Sequence, residues 1–296
     1  MTLEDVQNRH DDRQLALDQA GISDIRYPIV VLDRDCQKQS TVATIAMSVS
    51  LPDQFKGTHM SRFIEVLSKH RGEVTLRTLP AMLEDLKRRL QAKSARMEVA
   101  FPYFLERRAP VSGAAALMDY ACAFICESNG TYEDFMLQVK VPVTSLCPCS
   151  KAVSDYGAHN QRGVITIDVR TTRKLDGAIE IIWIEELVEL AERSAYAPVY
   201  PLLKRADERF VTMQAYDNPV FVEDMVRAVA GHLRSDDRVA WFRVHAVNHE
   251  SIHNHSAFAR IEWPVPEVQA ADLLRSRERV ERRNLTTAMA QAVATG

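Results

Sequence analysis

Apolar and polar positions recur along the chain with two different periods, which divide it into helical and extended segments. Residues 80–91 carry Leu83, Leu86 and Leu90 on one helical face, with charged side chains off that face. Residues 41–51 are rich in β-branched side chains, which is typical of a strand. In the first half the pattern predicts a strand at 41–51, helices at 59–70 and 80–91, and strands at 96–106 and 115–127.

The second half repeats this order of elements. It predicts strands at 134–143 and 163–171, helices at 184–193 and 222–233, and strands at 241–249 and 256–263. The two halves share no obvious sequence identity. The repeated order indicates two copies of a β-β-α-α-β-β unit, so the predicted fold class is α+β, with antiparallel sheets and helices packed on one face.

The same pattern divides the chain into four segments. We expect a polar N-terminal tail at 1–25, a first unit at 26–129, a second unit at 130–266 and a charged C-terminal helix at 267–296. The first residues are acidic and polar and lack the apolar stretch of a signal peptide, and no apolar run is long enough to cross a membrane. Five irregularly spaced cysteines do not make a disulfide framework. These features favour a cytoplasmic protein without a membrane partner.

Composition narrows the possible partners further. A chain of 296 residues with 46% hydrophobic content can bury a large core without staples. Its formal net charge of −3 provides no overall basic field. Nucleic acid is therefore not an expected partner.

Two thiols one residue apart form the most reactive motif. Cys147 and Cys149 flank Pro148, and in an extended backbone residues two apart point to the same side, which predicts both sulfurs in one cavity. One thiolate could then bind a metal while the other stays free as a nucleophile or proton-transfer group. The alternative is a pair of inert, buried thiols. No second cysteine pair follows, which disfavours a structural Cys₄ zinc site.

Histidines cluster in two places downstream of the thiols. His159 lies in a polar loop that opens into a strand, where it is either a solvated side chain or a metal ligand beside Cys147. Residues 248–255 contain three histidines and a glutamate. Within them, Glu250 and His253 could act as a general base and acid or as groups that orient a metal-activated water. The alternative is a solvent-exposed polar connection.

Two further sites could bind a charged, planar ligand. Glu223 falls early in a predicted helix, where the helix dipole alone explains a carboxylate, but it could also accept two parallel hydrogen bonds from a guanine or pterin edge. Lys56, His59 and Arg62 stand near Gly57 at a helix start, an arrangement that can bind an anion. Taken alone, the second group is only a basic helix start.

Taken together, these motifs closely resemble the type IB GTP cyclohydrolase I family. The matching segments run in order through the chain at 56–63, 109–113, 117–120, 144–151, 156–162, 221–224 and 250–255. The resemblance implies a bimodular tunnelling fold and a homotetramer with active sites at subunit interfaces. It also implies conversion of GTP and water into 7,8-dihydroneopterin triphosphate and formate. This is the entry step of tetrahydrofolate and 7-deazaguanine synthesis.

Residue roles follow from the resemblance, position by position. It implies metal ligands at Cys147, His159 and Glu208, and catalytic groups at Cys149, Glu250 and His253. The division of ligand and proton-transfer roles stays open among four of these side chains, which are His159, Glu208, Glu250 and His253. A mixed sulfur, nitrogen and oxygen shell is compatible with Zn, Mn or Fe, so the sequence predicts a divalent metal without choosing one.

The substrate-binding residues are also implied by the resemblance. Glu223 would anchor guanine, while Lys56, His59 and Arg62, with Arg162, would hold the triphosphate. A triphosphate carries several negative charges and requires cationic side chains and amide donors.

Two other readings of the same residues remain. One is a tunnelling-fold nitrile reductase of queuosine synthesis, which uses a cysteine nucleophile and needs no metal. The other is a non-catalytic purine-binding or metal-binding module. The histidines beside the thiols favour the metal-dependent hydrolase over both.

Overall fold

The structure is a computed structural model that describes residues 6–7, 9–35, 37–70, 78–129, 133–173, 179–195 and 197–264. Within these residues the strands form one eight-stranded sheet in sequence order. Every neighbouring pair from the first strand to the seventh is antiparallel. The strands are β1 (Leu17–Leu32), β2 (Lys38–Leu51), β3 (Ala95–Arg108), β4 (Ala115–Ser128), β5 (Glu133–Leu146), β6 (Asn160–Thr171), β7 (Val239–His249) and β8 (Ser256–Trp263).

Helices connect the strands and cover one face of the sheet. They are α1 (Met60–Lys69), α2 (Leu79–Leu90), α3 (Pro148–Val153), α4 (Ile184–Ala195), α5 (Arg205–Asp217) and α6 (Val222–Ser235). The predicted α+β class and the repeated β-β-α-α-β-β order are confirmed, with α3 and α5 as additions to the second copy. The predicted C-terminal helix lies outside the described residues.

The core lies between the helices and the covered face of the sheet. In β2, Ala43, Ile45 and Met47 are buried, and the residues between them are more exposed. Leu83 and Leu86 of α2 are buried as the helical pattern predicts. Each such side chain contributes about 1.5–3 kcal/mol of burial free energy. In β2 and α2, the spacing of apolar residues in the sequence therefore matches the face that packs against the core.

The first strand corrects the sequence-based picture, because β1 begins at Leu17, inside the predicted polar tail at 1–25. Among the described strands, β1 is an edge strand whose one partner is β2, and its first half is mostly exposed. Such a strand tolerates Pro28 and needs no apolar alternation. The first half of β1 therefore has the polar, non-alternating sequence that is also typical of an unstructured tail.

The described residues as far as Ile261 belong to one compact unit, and those from Glu262 onward belong to a second. The first contains both repeats down to Ile261, joined through the β4–β5 pairing. Among the described residues, no helix combines the length and apolar character that a membrane crossing requires.

Strand register defines two ends of the sheet. At one end, called the site end, β5 finishes at Leu146 opposite Asn160 of β6, and β7 finishes at His249. The β3–β4 turn, residues 109–114, is at the same end. At the opposite end, called the far end, β2 finishes at Leu51. Residues that follow a strand at the site end are therefore separated by the length of the sheet from residues that follow a strand at the far end.

Candidate functional site

Cys147 stands at the junction between β5 and α3. Its backbone is extended (φ −70°, ψ 118°), and its Sγ accepts a hydrogen bond from the Ser150 N–H at 3.4 Å as the N-cap of α3. Pro148 occupies the start of the helix, where its missing N–H and fixed φ are favourable. Cys149 is exposed within the first helical turn, and Cys147 is partly buried. The prediction of an extended backbone from Cys147 to Cys149 is wrong, because α3 begins at Pro148, between the two thiols.

The other described thiols are structural. Cys122 and Cys126 are buried on β4, and burial raises the pKa of both well above its usual range. A thiol that stays protonated is a poor nucleophile and a poor metal ligand. Cys122 and Cys126 are therefore packing residues, and Cys36 lies outside the described residues.

His159 is held against the thiol-bearing turn. Its carbonyl accepts from the Cys147 N–H at 3.1 Å, and its own N–H donates to Ser150 Oγ at 3.3 Å. Its Nδ1 lies 3.3 Å from Ser251 Oγ and 4.0 Å from Glu250 Oε2. The side chains of His159 and Glu250 are largely buried, at 13% and 11% exposure. The end of β5, the start of β6 and the segment after β7 therefore meet at one point.

The donor types at this point suit a divalent metal, since thiolate, imidazole and carboxylate together favour a borderline-soft ion. Within the described residues, however, no group of three or more His, Cys, Asp or Glu side chains is arranged to hold an ion. Glu208 is exposed on α5. The predicted set of Cys147, His159 and Glu208 is thus compatible in chemistry but is not gathered as a coordination shell.

Asp207, next to Glu208, is a residue whose role the sequence did not predict. It is fully buried and accepts hydrogen bonds from the backbone N–H groups of Val111 and Ser112, both at 2.8 Å, and from Ser112 Oγ at 2.6 Å. It also accepts from the Lys204 N–H at 2.8 Å as the third residue of α5. The available signal was an acidic residue three positions after the residue that precedes the helix, Lys204.

The hydrogen bonds explain the charge state of Asp207. Burial by itself raises the pKa of this carboxyl, but the hydrogen bonds from Ser112, Lys204 and Val111 outweigh burial and hold the pKa well below its usual range. The ionised carboxylate fastens α5 to the β3–β4 turn. The turn motif at 109–113 is therefore a docking point for the helix that carries Glu208.

Glu223 also reaches the site end. The Val220 N–H donates to the Leu146 carbonyl at 3.2 Å, which places the start of α6 against the end of β5. Asp224, and not Glu223, accepts the Phe221 N–H at 3.3 Å as the capping residue. Glu223 is exposed, and its carboxylate is not used in the cap. The helix dipole still accounts for a carboxylate in this first turn, and the exposed position of Glu223 also allows contact with a ligand.

His253 lies in the loop between β7 and β8, where its ring stacks on His255 with centroids 5.1 Å apart. Both rings are exposed. Arg162 of β6 is exposed and paired with His249. Both predicted residues therefore belong to the site end.

Lys56, His59 and Arg62 lie near the far end. They follow β2, whose 14 residues span about 45 Å. Lys56 comes five residues after Leu51, and five residues reach at most about 18 Å. Arg62 Nη1 donates to the Arg89 carbonyl at 2.7 Å, which ties it to the last turn of α2. One chain therefore does not bring these side chains to the site end.

Comparisons with known proteins agree with this architecture. A family model described as type I GTP cyclohydrolase folE2 matches residues 3–259. GTP cyclohydrolase FolE2 of Syntrophotalea carbinolica is 51% identical over 265 residues, covering 88% of this chain and 96% of that protein. The FolE2 protein of Nitrosococcus oceani is 53% identical over 260 residues, covering 88% and 95%.

A solved structure shares the fold alone. Uricase from Arthrobacter globiformis superimposes with a TM-score of 0.51 at 10% sequence identity, covering 82% of this chain and 92% of that chain. The shared architecture is the tunnelling fold. At this identity the likeness carries no information about substrate.

Proposed function

The chain belongs to the type I GTP cyclohydrolase folE2 family, and we propose that it converts GTP and water into 7,8-dihydroneopterin triphosphate and formate as a type IB enzyme. This is the first step of tetrahydrofolate and 7-deazaguanine synthesis. The observation that carries the proposal is the meeting of the Cys147 turn, His159 and Glu250 at one end of the sheet. These are the groups that opening a purine ring by hydrolysis requires.

The proposal includes a divalent metal (Zn, Mn or Fe) held by Cys147, His159 and Glu208. When bound, such an ion supplies Lewis-acid activation of water near neutral pH. Support comes from the donor types and from the main-chain bond between Cys147 and His159. Glu208 is the least supported ligand, because it is exposed on α5.

Catalytic roles go to Cys149, Glu250 and His253. Cys149 is exposed in the first turn of α3, accessible to a purine placed beside Cys147. The partly buried carboxylate of Glu250 can accept a proton, and the exposed imidazole of His253 can donate one. Ring opening at C8 requires both transfers, because the C8–N9 bond breaks and a leaving nitrogen must be protonated.

Glu223 is proposed as the guanine anchor. Two carboxylate oxygens match the N1–H and exocyclic amine of guanine in a parallel, charge-assisted pair. Asp224 meets the capping demand of α6, which leaves the Glu223 carboxylate to a ligand. Adenine lacks this pair of donors, so the carboxylate would also give base specificity.

The triphosphate site is proposed to form between subunits of a homotetramer. Arg162 is at the site end, but Lys56, His59 and Arg62 are near the far end of the same chain. A second copy can supply them. On α5 an apolar stripe formed by Phe210, Met213 and Tyr216 is 44%, 46% and 41% exposed beside the site, which is consistent with a surface that another subunit covers.

Cellular context is proposed from the thiols. Cys122, Cys126, Cys147 and Cys149 are all free, which supports a reducing, cytoplasmic compartment. The expected partners are the nucleotide GTP and further copies of the same chain, without nucleic acid or membrane.

The test is an assay of metal-stripped protein with GTP, with and without added Mn²⁺ or Zn²⁺. Formate and the fluorescence of the oxidised pterin are both measured, and the proposal expects both products only with metal. Cys149→Ala should bind metal and form no product, whereas Cys122→Ala, at a buried thiol far from the reaction, should retain turnover. If neither product appears with any metal, the hydrolase is wrong and the reductase or binding-module readings replace it.

A further inference from the structure

A buried side-chain hydrogen bond between β5 and β7 crosses β6 beneath the candidate site. Asn248 of β7 is 2% exposed, and its Nδ2 donates to Ser145 Oγ of β5 at 3.1 Å. Ser145 is 1% exposed. These two strands are not neighbours, because β6 runs between them. The bond therefore joins two strands that the main-chain ladder connects only through a third.

Gly163 of β6 makes this crossing possible. It pairs with Asn248 on one side and Val143 on the other. A Cβ added to Gly163 would lie 2.5 Å from Asn248 Oδ1 and 3.0 Å from the Val247 carbonyl oxygen. The missing side chain leaves the space in which the amide of Asn248 reaches across the strand.

The position of the bond relates it to the proposed chemistry. Ser145 is two residues before Cys147, and Asn248 is two residues before Glu250. Gly163 is four residues after His159. The bond thus joins the two strands that lead to Cys147 and Glu250, and it crosses the strand that begins after His159.

Stability alone does not favour asparagine at this position. Its Oδ1 is buried and accepts no hydrogen bond from the described residues. A buried polar atom without a partner is unfavourable, and an apolar side chain of similar volume avoids that penalty. The neighbouring inward residues Val244 and Ala246 are apolar and fully buried. The amide is better explained by what it holds in place.

We propose that Asn248 is a positioning residue for the reaction, acting by bonding Ser145 across Gly163 to set the distance between the Cys147 turn and Glu250. This role rests on the proposed cyclohydrolase function. Asn248 does not touch substrate. A displacement of about 1 Å at reacting groups can lower turnover about 10²-fold, so the bond should matter more for kcat than for GTP binding.

The experiment compares Asn248→Ala, Ser145→Ala and the double variant with the parent protein. Each single variant should lower kcat about 10–100-fold while KM for GTP stays within about threefold. The double variant should be no worse than the poorer single variant, because both remove the same bond. Ser194→Ala is the control: it removes another buried hydroxyl bond, from Ser194 Oγ to the Leu190 carbonyl at 2.9 Å in α4, and should leave kcat at the parental value.

The outcomes separate the two proposals. Parental kcat in folded Asn248→Ala and Ser145→Ala, or losses that add fully in the double variant, would overturn the positioning role alone. An inactive parent protein would overturn the cyclohydrolase function and this role with it. If Asn248→Ala does not fold, Ser145→Ala decides, since it deletes only one hydroxyl from the same bond.

Discussion

The Glu250 carboxylate lies 4.0 Å from Nδ1 of His159. A carboxylate beside one ring nitrogen orients an imidazole and leaves the other nitrogen to face a ligand. Ser251 Oγ, 3.3 Å from the same Nδ1, adds a second constraint. His159 is therefore held by both its backbone and its ring, which suits a group that must keep one orientation.

Replacing the carboxylate tests this pair. Glu250→Gln should weaken metal binding about 10–100-fold, the usual effect of removing a group that orients a metal-bound histidine, and should reduce turnover further through the lost proton acceptor. Metal affinity is measured by competition with a chelator. Glu98→Gln on β3, a half-exposed glutamate beside Arg96, is the control. Equal metal affinity in both variants would remove Glu250 from the metal environment.

Asp207→Asn should loosen α5 from the β3–β4 turn. The folded state holds the pKa of Asp207 well below its usual range. Its stabilising contribution is therefore fully present above the unfolded pKa, about 3.9, and is lost as the pH falls toward the folded value. The variant should have a lower Tm at pH 7 and should lose less stability than the parent below about pH 4.

Asp224→Asn is the matched control for Asp207→Asn. Asp224 also occupies the third position of a helix, but it caps only its own helix and pairs with Arg227 on the surface. Thermal unfolding from pH 3 to pH 7 should show a smaller change in Tm for this variant. A change as large as that of Asp207→Asn would mean that helix capping, and not the tertiary contact with Ser112, explains the effect.

Lys56→Ala should raise KM for GTP about 10–100-fold, because a charge-assisted hydrogen bond is worth about 1.5–3 kcal/mol. Its Tm should change little, since Lys56 is exposed. Lys93→Ala, at another exposed lysine near the far end, should keep the parental KM. Equal KM values for the two variants would contradict the anion role of Lys56.

Mixing two variants tests whether the site is shared between subunits. If Lys56 and Cys149 of one site come from different chains, coexpressed Lys56→Ala and Cys149→Ala chains should form some sites with both residues intact. Activity at low GTP should then exceed the sum of the separately expressed variants. No recovery in verified mixed oligomers would place both residues of each site in one chain.

Gly163→Ala should destabilise the protein by about 1–3 kcal/mol, the usual effect of overpacking, because its Cβ would lie 2.5 Å from Asn248 Oδ1. Gly231→Ala in α6 has open space around the new Cβ and should be neutral or stabilising, since alanine is the better helix former. Urea denaturation measures both. A neutral Gly163→Ala would show that Asn248 can move aside.

Most elements could be predicted from the sequence because their apolar periods record local burial. The predicted helix at 184–193 is α4, Ile184–Ala195, and the predicted strand at 241–249 is β7, Val239–His249. Periodicity failed where burial is weak. β1 is mostly exposed along its first half, and α5 buries only Asp207 and Ala215, so neither shows the usual contrast between an apolar buried face and a polar exposed one.

The sequence by itself determined most of the element order, the α+β class and the residue types available for chemistry, since these depend on local periodicity and side-chain identity. Only the tertiary structure decided which of those residues meet. Ser145 and Asn248 are 103 residues apart and touch because strand order places β6 and Gly163 between them. Lys56, as prominent a candidate as His159 in the sequence, is held near the far end by the direction of β2. Register and strand direction arise from pairings between distant segments, which a local pattern does not encode.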